Sequence, residues 1–210
     1  MLLQLTSATL FSIVALVGSA GSSTRTSIQH TILESSIDKI NSGELAPPKD
    51  LTDLIINSFD LPQKAAIQDC LEARPKRREV STLLRSVLLK PNPHVDLFFV
   101  RPAAGVDCPA FIGPHRYLIY IAERDVQSRR LRLVHQDGVD GLTIYQSQHH
   151  GLYDLETRDC TGAGCQLDTW WFNGSAYRRV KCADGQYRKG RLVSRRSVNC
   201  QREIPASLLP

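Results

Sequence analysis

Apolar and polar positions divide the chain into three textures. Leu10-Phe11-Ser12-Ile13-Val14-Ala15-Leu16-Val17 is an apolar stretch followed by the small residues Gly18-Ser19-Ala20. That layout predicts a secretory signal over residues 1–20 with cleavage after Ala20. No charged side chain occurs in the first 24 residues, so only the terminal amine supplies positive charge at the start. The competing reading is a retained membrane anchor, against which the polar Gln4, Thr6, Ser7, Thr9 and Ser12 count. No second long apolar run follows, so the mature chain is expected to have no transmembrane segment.

The second texture is helical. Residues 21–27 are rich in Ser, Thr and Gly and read as a linker. Ile28, Ile32, Leu33, Ile37 and Ile40 then recur at helical intervals, and Asn41-Ser42-Gly43 supplies a stop, which predicts an amphipathic helix over 27–40. After Pro47-Pro48 the spacing of Leu51, Leu54, Ile55 and Phe59 predicts a second. Asp60-Leu61-Pro62-Gln63 carries the side-chain acceptor, early proline and glutamine of a capped third helix running to about Ala73, with Pro75 and Lys76-Arg77-Arg78 as a solvated turn. In residues 80–89, positions 80, 83, 84, 87 and 88 fit a helical face while the residue types also suit a strand; the helix is the preferred reading.

Beyond Pro91 the third texture begins. Asp96–Val100, Tyr117–Ile121, Leu131–Val134, Leu142–Tyr145, Leu152–Leu155 and Thr169–Phe172 are short β-prone runs separated by Gly, Pro, Asp or Asn. Their close spacing favours hairpins over helical crossovers. Asn173-Gly174 predicts a two-residue hairpin turn, a better explanation than the formal glycosylation sequon Asn173-Gly174-Ser175. The expected fold is α+β: N-terminal helices (21–90), an antiparallel β-meander (91–182) and a basic C-terminal segment (183–210).

All six cysteines, Cys70, Cys108, Cys160, Cys165, Cys182 and Cys200, lie after the signal. An even count in an exported chain argues for disulfides. Cys160 and Cys165 flank the flexible Thr-Gly-Ala-Gly and are expected to pair; the other two bridges stay open, with Cys108–Cys182 as the working choice. No C-x-x-C spacing points to zinc, and no metal or cofactor is expected.

Three pieces, Asp96–Val100, His150-Gly151-Leu152-Tyr153-Asp154-Leu155 and Trp171-Phe172-Asn173-Gly174-Ser175-Ala176-Tyr177, resemble a unit of bacterial exported proteins with a single FG-GAP or VCBS-type β-blade, over about residues 88–182. The resemblance implies a fold and an exported destination. Repeated blades of that type place a calcium loop before the first run. Here Leu88–Asp96 offers only Asn92 and Asp96 as oxygen donors, and Lys90 and Pro93 replace a ligand and the turn glycine, so calcium binding is not expected.

The net charge is +5, and from Arg178 to Arg202 nine Lys or Arg residues face one acid, Asp184. Such a block favours anionic partners, or simply solvates the end of the chain. Trp171 with Arg178, Arg179, Arg195 and Arg196 is the candidate binding set, since strand alternation turns Trp170 and Phe172 away from it. His149 with Asp154 is the candidate catalytic pair, a histidine base oriented by a carboxylate. Its simpler alternative is a hairpin boundary with the turn at Gly151 and His150 exposed. No G-x-S-x-G, H-E-x-x-H or phosphate-binding glycine loop supports an enzyme. The preferred function is therefore an exported, periplasmic or secreted, non-enzymatic binding or inhibitor-like protein of the bacterial envelope. Its expected partner is an anionic envelope component or another exported protein, and not nucleic acid. The alternatives are an envelope hydrolase using His149 and Asp154, and a structural envelope component.

Overall fold

The computed structural model describes residues 30–36, 43–73, 79–111, 116–162, 164–188 and 191–200. The expected signal, its cleavage site, the linker and the basic turn at 76–78 lie outside these residues.

The protein is α+β, and its described residues form two helices and ten strands in two antiparallel sheets. The smaller sheet is a meander of β2 (Leu84–Asn92), β3 (Val95–Pro102), β4 (Tyr117–Asp125) and β5 (Leu131–Val139). The larger runs in the order β1-β6-β7-β8-β9-β10. It comprises β1 (Thr31–Ser36), β6 (Gly141–His149), β7 (Leu152–Thr161), β8 (Gly164–Phe172), β9 (Tyr177–Arg188) and β10 (Arg191–Val198).

The small sheet is the middle layer. Phe98, Val100, Tyr120 and Ala122 face the helices, while Leu97, Phe99, Ile119 and Ile121 face the larger sheet. This double burial explains why β3 and β4 are continuously apolar instead of alternating. Above them, α1 (Lys49–Asn57) inserts Leu51 and Ile55, one helical turn apart and fully buried. Nine residues are too few for a helix to stand alone in water, so this apolar face holds α1 in place. In α2 (Leu61–Glu72) the capping box forms as expected: Gln63 N donates to Asp60 Oδ1 at 2.8 Å, and the Gln63 side chain accepts from Asp60 N.

Several expectations are corrected. The segment expected as a first helix contains β1 over Thr31–Ser36, paired antiparallel with β6. Alternation places Leu33 in the inter-sheet core and leaves Ile32 exposed. Its Thr and Ser residues contribute little helix propensity, so pairing with β6 prevails over the helical spacing. Residues 80–89 hold one 3-10 turn, Val80–Leu83, and then β2, because pairing with β3 covers Leu84 on the helical side and packs Val87 and Leu89 against the inter-sheet core. The Asn173-Gly174 hairpin has a four-residue loop, not two: Asn173 Oδ1 accepts from Ser175 N, Ser175 Oγ and Ala176 N, and Phe172 pairs with Tyr177. β9 passes without interruption through the expected boundary at 182, and β10 follows in what was expected to be a separate basic segment.

All six cysteines are bridged, as Cys70–Cys108, Cys160–Cys165 and Cys182–Cys200. The Cys108–Cys182 pairing does not form. Cys108 lies beside α2 in the helical core, whereas Cys182 is on β9 of the other sheet. The three pieces of the blade-like resemblance are divided between the sheets, the first in β3 and the others in β7 and across β8 and β9.

Candidate functional site

The site is built by a tight hairpin. His150 and Gly151 have φ of 48° and 83°, the positive values a type I′ turn requires at both central positions. The turn sets His149 against Leu152 and Gln148 against Tyr153; beyond that pair the register shifts, and Ser147 reaches Asp154 through its side chain. Asn92 of the small sheet secures the turn by donating to Gly151 O at 2.9 Å.

Tyr153 and Leu155 pack toward the other sheet, so Asp154 between them turns outward. It is nonetheless 1% exposed, covered by the groups that bind it. His149 Nδ1 donates to Oδ1 at 2.6 Å and Ser147 Oγ donates to Oδ2 at 2.6 Å, so both carboxylate oxygens are satisfied. The imidazole lies flat on Trp171, with centroids 3.8 Å apart and planes 11° apart. Lys181 Nζ stands 5.5 Å from the centre of the same indole, and Arg178 is the cross-strand partner of Trp171. Ser147, His149, Trp171, Lys181 and buried Asp154 thus form a row across four strands on the outer face of the larger sheet. Beneath it, Tyr177 Oη donates to Tyr153 O at 2.6 Å, and burial together with the Asp154 charge pushes its phenol pKa upward.

The expected binding set is distributed unevenly. Trp171 is half-buried on the outer face, while Trp170 packs inward and donates to Thr157 Oγ1 at 2.9 Å. Arg179 pairs with Asp168 at 3.2 Å, Arg195 with Glu156 at 2.8 Å and Arg196 with Asp184 at 2.9 Å. The acids that meet the basic block therefore come mostly from β7 and β8, which sequence proximity does not reveal. Among the described residues, Arg178 and Lys181 are the cations beside Trp171 with no carboxylate partner.

Ser147 and Lys181 were absent from the sequence expectation. A signal existed for Ser147: with His150-Gly151 as a two-residue turn, counting outward brings it near Asp154. Lys181 carried none, because a bulge between Thr169 and Trp170 shifts the register against β9.

Chemically, the row joins a histidine oriented by a buried carboxylate to two cations that no described carboxylate pairs. Ser147 is no activated nucleophile, since its hydroxyl is held by Asp154 and not by His149. Two surface depressions lie elsewhere, one of about 350 Å³ between Ala66, Asp69, Cys70, Ala73, Asp107 and Pro109, the other of about 760 Å³ beside α1 and the 3-10 turn. Among the described residues no cluster of His, Cys, Asp and Glu is arranged to hold a metal ion, and no helix is long and apolar enough to cross a membrane. Three disulfides indicate an oxidising, extracytoplasmic environment.

Fold and site together define a disulfide-bonded α+β protein that presents an aromatic and basic sheet face. Comparison with protein-family models, with curated proteins and with solved structures returns no match.

Proposed function

We propose that this is an exported, non-enzymatic binding or inhibitor-like protein that engages an anionic partner, an envelope surface or another exported protein, through the outer face of its larger sheet. The observation that carries this reading is Trp171 flanked on an open face by Arg178 and Lys181, which have no carboxylate partner among the described residues, while the neighbouring arginines are consumed in ion pairs. A rigid aromatic anchor beside unpaired cations is the composition that concentrates binding energy at interfaces.

The test is capture from an exported fraction by the oxidised protein, followed by titration of the purified partner. An R178S/K181S double variant is expected to bind at least tenfold more weakly, and R195S/R196S to bind as the parent does. Equal binding by all three proteins removes the Trp171 face from consideration.

One observation favours a second reading, hydrolysis by His149 with Asp154. The Nδ1–Oδ1 contact of 2.6 Å orients the imidazole, and its half-exposed ring could take a proton from water at Nε2. Turnover of an ester or phosphoester panel that disappears in H149N would establish it. Turnover unchanged in H149N would dismiss it.

A further inference from the structure

His135 on β5 is opposite Ile121 and shares its face toward the larger sheet. Its ring meets Trp170 of β8, with centroids 4.6 Å apart, and Tyr177 of β9, with centroids 5.8 Å apart. The residue is 8% exposed, and among the described residues its Nε2 has no hydrogen-bond partner. Neither neighbour can supply one by donation: the Trp170 N–H is held by Thr157 and the Tyr177 hydroxyl by the carbonyl of Tyr153. A polar ring is thus wedged between the sheets in its neutral form.

We propose that His135 is an acid-sensitive wedge: its protonation places an uncompensated charge in the inter-sheet core and loosens the docking of β8 and β9 on β5. The strand it would unseat presents Trp171 on its other face, directly beside Trp170.

The surrounding charges do not rescue the imidazolium. On β5, Arg132 is paired with Glu123 of β4 at 2.5 Å. Asp168 of β8 is paired with Arg179 of β9, and Asp154 of β7 is bound by Ser147 and His149. Burial lowers the pKa of His135 to about 4 from 6.5. With the folded value below the unfolded one, the fold has this contribution in full above pH 6.5 and loses it as pH falls through about 4. Asp137, also on β5, acts in the opposite direction: burial first, then the charges of Asp168 and Asp159, raise its pKa to about 6, with Arg116 opposing. The acid response of the parent protein is therefore a difference of two effects, and a variant comparison is needed to separate them.

The experiment uses the full oxidised chain. Thermal midpoints of the parent and H135F are compared from pH 7.5 to 4.5, with D137N as the background in a second pair. The advantage of H135F over its parent is expected to grow steadily as pH falls, in both backgrounds. A pH-independent difference overturns the proposal. Should H135F not fold, hydrogen exchange of D137N, which lacks the opposing carboxyl, decides: after correction for intrinsic rates, its β5 and β8 amides are expected to open at least tenfold more often at pH 4.5 than at pH 7. Unchanged protection there overturns it.

Discussion

At the scale of single residues, the interior contains ionisable groups whose cost depends on pH. Asp137 is half-buried, and its carboxyl accepts from its neighbour Gly138 N at 2.8 Å, which offsets part of the desolvation. With its pKa raised to about 6 from 3.8, the folded state binds the proton more tightly than the unfolded one. Stability is then greatest below pH 3.8 and falls as pH rises through 6. D137N is accordingly expected to stabilise the protein at pH 7.5 by about 2 kcal/mol, a gain that shrinks toward pH 4, as measured by urea unfolding at each pH. The pairing of His149 with Asp154 was legible at this scale, because residue types suggested it and the hairpin delivered it. The partners of Arg179, Arg195 and Arg196 were not, since Asp168, Glu156 and Asp184 reach them only across paired strands.

Among elements, the β6–β7 hairpin matters most to the site. Gly151 has φ of 83°, and an added Cβ would meet Asn92 Nδ2 only at an ordinary contact distance of 3.4 Å, so it is the backbone conformation and not lack of space that favours glycine. G151A is expected to destabilise the protein by about 1–2 kcal/mol, the cost of a left-handed backbone for an L-residue. It should also speed exchange of the His149 and Asp154 amides relative to those of β3 and β4. Equal exchange in all four strands would show that the hairpin does not position the site independently. The helices illustrate where local signals suffice. The α2 cap was predicted from four consecutive residues because every partner lies within them. β1 was mistaken for a helix because its partner, β6, is about a hundred residues away, and apolar spacing alone does not record long-range pairing.

For the whole molecule, the three bridges constrain very different lengths of chain. Cys70–Cys108 spans 38 residues and ties α2 to the loop after β3, Cys182–Cys200 spans 18, and Cys160–Cys165 spans 5 within a hairpin already paired in register. In the chain-entropy model this corresponds to about 4 kcal/mol for the longest loop and about 2 kcal/mol for the shortest. C70A/C108A should therefore lower the urea midpoint more than C160A/C165A, and the reverse order would place the main covalent constraint in the larger sheet. By itself the sequence determined the class of fold, the two helices with their cap, most of the strands and the short-range bridge. Each depends on propensity, period or proximity along the chain. Only the tertiary structure decided the division into two sheets, the strand at the N-terminal edge, the remaining bridges and which cations beside Trp171 stay unpaired. Those features depend on which surfaces meet after the chain has folded back on itself, and one-dimensional spacing carries no record of that choice.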